Sequence, residues 1–463
     1  MGKRNNSEKS GSMTWWQLSL FGVACTIGTG YFLGSGMAMQ MAGGTSMILF
    51  ALAATGTYLV FDVLSLMAAA DPQQGSFRVY AKKAFGRWAG FSSGWVYWSS
   101  ELLIMGSQLT ALSLFTRIWF PAIPMWILAV GYAVLGLGVI LLGSKPFERA
   151  EHVFALIKIS AILMFLLIAV GAILHWIPGN GHPQFPTTKQ AYMPDGSLGI
   201  WSAFIYAFYA FGGIEILGMM TLRLKDPQEM PKSGKVMIGG LAFIYIASLA
   251  LALTLLKAER LQAKESPFQL ALSQYDLPLV PHIFNAILII AGFSTMVASL
   301  FAITTIMVTL AKDRDAPPIF AKTTNGNRKL PVYAIGFTTC GIGCAVVMAL
   351  LLPDSLYAYI TTAAGIMLLY NWLFILLSAG RLLELSVWGK IKRVAGMVLI
   401  LAAIVGTVFH GTSRPGFWVS LLFIAVISCL TLWMTRKWRR GDTSGEKQAR
   451  ELVIFERKKE GAR

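Results

Sequence analysis

Runs of eighteen or more mostly apolar residues recur along this chain from one end to the other. Each is long enough to cross the hydrocarbon core of a bilayer as a helix. Twelve are legible, at approximately 15–42, 45–70, 88–117, 124–144, 152–177, 198–220, 236–256, 281–311, 331–352, 355–380, 394–410 and 416–435. In lipid every backbone polar group must find its partner within the protein, which leaves helices as the elements such segments can form. Only 13% of the 463 residues are charged, about half the share usual in soluble chains. The expected fold is therefore an all-α integral membrane protein of twelve transmembrane helices, with no room between them for a large soluble domain.

The net charge of +17 raises the question of nucleic acid, and its distribution answers it. With both termini in the cytoplasm, all but seven of the 39 Lys and Arg residues fall in cytoplasmic segments; six lie outside and Lys158 lies inside a span. By the positive-inside rule this predicts a multi-pass protein of the cell membrane with cytoplasmic N- and C-termini. The charge records topology, so nucleic acid is not expected as a partner. The polar start, MGKRNNSEKSGSM, has no short apolar core and cleavage site and does not read as a removable signal peptide. Cys25, Cys340, Cys344 and Cys429 all fall in spans, and the five histidines are scattered. Neither pattern suggests a disulfide framework, a metal site or a cofactor. Cys25 reads as a small buried residue.

The first span carries TIGTGYFLGSG at 26–36, with Gly28, Gly30, Gly34 and Gly36. A phosphate-cradling loop would need a strand before it and a helix after it, and here both flanks are helix-like. Gly30 and Gly34 form a GxxxG pair suited to close helix packing, but that leaves Gly28-Thr29-Gly30 unexplained. The sixth span repeats the pattern: FIYAFYAFGGIEILG at 204–218 places Gly212-Gly213 at its middle. If the first ten spans are two repeats of five, spans one and six correspond, and the odd number inverts the second repeat. Paired glycine-interrupted spans of this kind point to a transporter's binding site. The half-helix ends offer free N–H groups to an anion and free C=O groups to a cation. An amino acid zwitterion carries one of each.

Several segments in order then resemble the amino acid–polyamine–organocation superfamily of transporters, and within it the bacterial amino acid permeases. They are IGTGYFLGSG (27–36), QGSFRVYAKKAFGRWAGFSSGWVYW (74–98), AEHVFALIK (150–158), FYAFGGIE (208–215), KDPQEMPK (225–232), SPF (266–268), LAKDRDAP (310–317) and YNWLFILLS (370–378). The resemblance runs from Trp15 to Arg381 and implies a 5+5 inverted repeat with discontinuous helices 1 and 6, plus two peripheral helices. The segments would be 1–14 cytoplasmic, 15–178 first repeat, 198–380 second repeat, 390–435 spans eleven and twelve, and 436–463 a basic cytoplasmic tail that could meet anionic membrane lipid. It also implies alternating access. Carried over residue by residue, the N–H groups of Gly28, Thr29 and Gly30 would hold a substrate carboxylate. Carbonyls near Val23, Ala24, Tyr209 and Ala210 would hold the ammonium, and Phe211 would cap the site. Ile27 and Gly212-Gly213 complete the unwound segments.

Three ionisable residues fall inside spans, where charge is costly and commonly functional. In proton-coupled relatives a lysine at the position of Lys158 stands where sodium-coupled members bind an ion, which nominates Lys158 for proton coupling. Glu151, two turns before it, could partner it only through water or another group. Glu215 follows the second break and reads equally as a tie between half-helices or a coupling residue. Glu101, mid-span in WVYWSSELLIMGSQLTAL, departs from the family, as do Gln108 and Thr304-Thr305. Glu101 would meet a polar or cationic substrate side chain, supply a relocated proton site, or sit protonated against a neighbouring helix. Trp95, Tyr97 and Trp98 read as packing or interfacial residues.

The expected function is a secondary active amino acid transporter, importing a neutral amino acid with a coupling proton. Exchange of one amino acid for another, a cationic substrate, and a sensor without flux stand as alternatives. An enzyme is not expected, because no convergent set of catalytic side chains is legible.

Overall fold

The computed structural model describes residues 11–460 except 180–182, 184–186, 257–264, 325–329 and 352–355; most of the polar N-terminus and His182 fall outside them. Among the described residues the chain is helical, with two isolated bridges, Met13–Leu224 and Gly179–Tyr275, and no longer strand pairing. Three pieces, α1 (Trp15–Thr26), α2 (Thr29–Phe32) and α3 (Gly34–Ala42), share the first apolar run. Next come α4 (Ser46–Ala70), α5 (Phe77–Phe85), α6 (Arg87–Arg117), α7 (Met125–Leu141), α8 (Ser144–Ile173) and α9 (Lys189–Tyr192). The sixth run is split into α10 (Gly196–Tyr209) and α11 (Ile214–Met220). The rest are α12 (Met230–Leu255), α13 (Pro267–Leu272), α14 (Val280–Lys312), α15 (Val332–Leu351), α16 (Leu356–Leu382), α17 (Val387–Gly406) and α18 (Arg414–Glu460).

Every apolar run read from the sequence thus falls on one of these helices or on a broken set of them. Seven helical stretches among the described residues are long and apolar enough to cross a membrane by length and composition. Two differences from the sequence reading stand out. Helix α8 begins at Ser144, just after Gly143 turns the chain at φ 98°, so Lys158 lies about four turns in rather than two. Helix α18 runs on through the basic tail to Glu460, across the glycines at 441 and 445.

Packing divides the molecule into a centre and a margin. Helix α6 packs on α14 and α16, α4 on α12, and α1 on α8, α11, α12 and α14. Trp95 and Trp98 meet edge-on at 5.7 Å, and Trp98 stacks on Phe337 at 5.1 Å, so this cluster fills an α6 face. At the margin, α18 exposes Trp418, Leu422, Val426 and Leu430 at intervals of four residues. Helix α7 exposes Trp126, Ile127, Val130 and Val134. Stripes of this size would be a liability in water; a bilayer covers them.

One end of the bundle is fastened by charge. The short helix α5 sends Arg78 to Asp313 (2.9 Å) and Asp315 (2.7 Å), just past the end of α14, while Lys82 reaches Asp313 (2.9 Å) and Arg87 reaches Asp315 (2.8 Å). Burial pushes the Asp313 carboxyl up, but the Lys82 ammonium and the Arg78 guanidinium outweigh it and hold it below the usual range. Deeper burial keeps Asp315 above that range in spite of Arg87 and Arg78. The Arg78 side chain is 1% exposed, so Arg78→Ala removes a buried partner from both carboxylates and leaves the buried Asp315 with Arg87 alone. We expect it to lower stability in detergent by about 3 kcal/mol, read as a drop in the thermal unfolding midpoint. Lys83→Ala, which breaks a pair with Asp71 whose side chains are 45% and 43% exposed, should change it by less than about 1 kcal/mol.

Candidate substrate-binding site

The two broken helices meet across one small cavity of about 30 Å³. The first break contributes Cys25, Thr26, Gly28, Thr29 and Gly30, and the second Tyr209, Gly212, Gly213 and Ile216. Helix α6 adds Glu101, Ile104 and Gln108, whose spacing of three and seven places them on one face. Helix α14 adds Thr295 and Ser299, one turn apart. The side chains that line it are buried, and Gly30 and Gly212 are partly exposed.

The glycines are there because space is not. A Cβ on Gly28 would lie 2.5 Å from the Thr295 hydroxyl oxygen. Gly213 has φ +111°, a conformation L-residues rarely adopt, and its Cβ would lie 2.8 Å from the Cys25 carbonyl oxygen.

Where the helices stop, backbone groups lose their partners. Helix α1 closes with Ile27 N–H donating to Val23 O (2.9 Å), and α2 opens with Tyr31 and Phe32 N–H donating to Gly28 O (3.1 and 3.0 Å). No acceptor is found among the described residues for the N–H groups of Gly28, Thr29 and Gly30, nor a donor for the carbonyls of Cys25 and Thr26. The hydroxyls of Thr26 and Thr29 and the amide oxygen of Gln108 are likewise buried without a partner. Each such group costs roughly 1–3 kcal/mol unless something enters to satisfy it. The cavity therefore holds a cluster of free donors beside a cluster of free acceptors. Glu101 is the one charged side chain in its lining; the hydroxyls of Tyr97 and Ser299 lie beside its carboxyl.

The residues nominated from sequence separate into three groups. Gly28, Thr29, Gly30, Glu101, Tyr209, Gly212 and Gly213 line the cavity, whereas Val23, Ala24, Ile27, Ala210 and Phe211 stand behind it. The four nominated carbonyls already have donors: Val23 O from Ile27 N–H, Ala24 O from Lys158 Nζ (2.5 Å), Tyr209 O from Gly212 N–H (3.1 Å) and Ala210 O from the Tyr245 hydroxyl (3.2 Å). The acceptors left free are two residues further on, at Cys25 and Thr26. Phe211 is fully buried, 5.1 Å from the Tyr245 ring.

Lys158 and Glu215 each fasten a break. Lys158 Nζ takes the Ala24 carbonyl, an orphan of the α1 C-terminus where positive charge is favoured. It also donates to Ser294 Oγ at 3.0 Å, and Ser294 Oγ donates to Glu151 Oε2 at 2.7 Å. Ser294 is the intermediary that the Lys158–Glu151 separation called for. Glu215 Oε1 accepts from Gly213 N–H (3.2 Å) and Oε2 from the Trp372 indole N–H (3.2 Å), which ties the second break to α16.

Sequence reasoning missed Cys25, Thr26, Ile104, Gln108, Ile216, Thr295 and Ser299 as lining residues. Once Glu101 is placed, the i, i+3, i+7 spacing would have found Ile104 and Gln108; Thr295 and Ser299 carry no signal that separates them from the other hydroxyls of α14. Thr304 and Thr305 donate to the carbonyls of Leu300 (2.8 Å) and Phe301 (2.9 Å) and line a different cavity, toward the Lys312 end of α14.

The geometry can be set beside known proteins. A family model described as amino acid permease matches residues 17–434. The chain is 48% identical over 438 residues to the "Uncharacterized transporter YcgH" of Bacillus subtilis, covering 94% of this chain and 98% of that one. It is 30% identical over 461 residues to the "Aromatic amino acid transport protein AroP" of Corynebacterium glutamicum (93% and 98%). Identity to the protein of the same name in Escherichia coli K12 is 28% over 421 residues (90% and 88%). This chain belongs to the amino acid permease family and is a multi-pass membrane protein.

Proposed function

We propose that this permease is a secondary active transporter that imports an α-amino acid together with a proton by alternating access. Its ten central spans would form two inverted repeats, 15–178 and 198–380, with 390–435 peripheral and both termini in the cytoplasm. The observation that carries this reading is the pairing of free groups in one cavity. Three unpaired N–H groups at Gly28, Thr29 and Gly30 suit a carboxylate, and the free carbonyls of Cys25 and Thr26 suit an ammonium. Val23, Ala24, Tyr209 and Ala210 then shape the carbonyl end from behind, and Lys158 is the coupling site because it joins the α1 break to α14.

The side-chain part of the cavity is lined by Ile104, Ile216 and the Tyr209 ring, which favours a neutral amino acid. The relatives named for aromatic amino acids put those substrates on the panel. Glu101 supports a second reading, in which its carboxylate meets a cationic side chain. Uptake of each of the twenty radiolabelled amino acids into proteoliposomes tests both. Saturable uptake of one or a few is expected, and no uptake of any would contradict the transport reading. For the neutral reading, Glu101→Gln should leave the rank order of substrates unchanged. A selective loss of lysine or arginine uptake, about tenfold or more for a charge-assisted hydrogen bond, would establish the cationic reading instead.

A further inference from the structure

The reading above uses the Glu151–Ser294–Lys158 string only at its lysine end. We propose that the Ser294 hydroxyl and the Glu151 carboxylate form the route by which the proton held at Lys158 leaves toward the cytoplasm, with Ser294 as relay and Glu151 as acceptor. The inference rests on Lys158 being the coupling site and adds the path that empties it.

The hydrogen bonds already run in the needed order. The single proton of the Ser294 hydroxyl is directed to Glu151 Oε2 at 2.7 Å, so its lone pair is what receives Lys158 Nζ at 3.0 Å. In the transfer an N–H bond of Lys158 breaks as an O–H bond forms on Ser294. The original Ser294 O–H bond breaks as one forms on Glu151. The ammonium and carboxylate become amine and carboxylic acid, the hydroxyl is regenerated, and net charge is unchanged.

All three side chains are fully buried, so bulk water offers no parallel route in this closed state. Glu151 and Lys158 share α8, whereas Ser294 belongs to α14. The string is continuous only while those helices lie together, which makes proton release conditional on conformation. Glu151 sits two turns from Lys158 toward the Ser144 end of α8, the end that the charge distribution places at the cytoplasm. Its second oxygen, Oε1, is buried without a hydrogen-bond partner. One further turn along, Glu148 pairs with Arg223 just past α11 at 3.2 Å. When the inner face opens and Arg223 moves away from α8, that pair parts and water reaches Glu151. The other titratable group acting on the string is the Cys25 thiol from α1, itself acted on across the cavity by Glu215 and Glu101. His152 lies beside Glu151 with its ring edge-on to Phe21 at 6.4 Å.

The test uses full-length protein in liposomes loaded with a pH dye. An equimolar mixture of the twenty L-amino acids is added outside and internal acidification is followed. Exchange of a radiolabelled L-amino-acid mixture at equal pH on both sides is measured in parallel. Ser294→Ala and Glu151→Gln should cut substrate-induced acidification at least about tenfold, as loss of a proton-transfer group does, while exchange persists. Ser294→Thr, which keeps the hydroxyl, should restore acidification. Acidification at the wild-type rate in Ser294→Ala overturns the relay. So does loss of exchange along with acidification in both variants, which would mark a structural role. Persistence of acidification in Lys158→Gln removes the coupling site itself, and no flux in the wild type removes the transport reading; each outcome is distinct from failure of the relay alone.

Discussion

Lys158→Gln is expected to reduce gradient-driven accumulation to simple equilibration. With one proton per substrate, an inward gradient of one pH unit supplies about 1.4 kcal/mol, enough for roughly tenfold accumulation in the wild type. The glutamine side chain can still donate to Ala24 O and Ser294 Oγ, so it preserves the tie between α1 and α14 without a titratable group. Its accumulation ratio should be near one, whatever its rate of exchange. Full accumulation in this variant would show that Lys158 only fastens the break. Arginine is a poor substitute at this position, since the broad guanidinium does not lose its proton in proteins.

The second large effect is expected at Gly213. An alanine there must either hold φ near +111° or rotate the peptide, and its Cβ meets the Cys25 carbonyl at 2.8 Å. A strained backbone of this kind costs about 1–3 kcal/mol, and relief of the contact displaces one of the free carbonyls of the cavity. We expect Gly213→Ala to weaken substrate binding by about thirtyfold or more, read as a rise in KM, with the folded protein still recovered from the membrane. Gly131→Ala on α7 is the control: no atom lies within 4 Å of its added Cβ, and transport should be unchanged.

These two residues also mark how far sequence reasoning reached. Gly28-Thr29-Gly30 and Gly212-Gly213 announced interruptions in otherwise apolar helices, and the residues outside helix there are 27–28, Leu33 and 210–213. Glycine is visible locally because its cost to a helix is local. The partners of Lys158 were not legible: Ala24 and Ser294 are 134 and 136 residues away in the chain. The same holds for the α14 face, where Thr295 and Ser299 reach the cavity while Thr304 and Thr305 do not. Helices that are apolar all round carry no periodic signal of which face looks inward. Only the packing of α14 against α1, α6 and α8 selects it. Two of the nominated carbonyls are occupied for a related reason: Lys158 fills Ala24 O and Tyr245 fills Ala210 O, which the breaks alone would have left open.

The central claim is that the cavity between two broken helices binds an amino acid and that Lys158 couples its movement to a proton. The most direct measurement is uptake of radiolabelled amino acids into proteoliposomes with and without an inward proton gradient, repeated with a protonophore. The account predicts accumulation above equilibrium for one or a few amino acids that collapses when the protonophore is added. Uptake that requires amino acid inside the vesicles and ignores the gradient would contradict it, and would make the protein an exchanger.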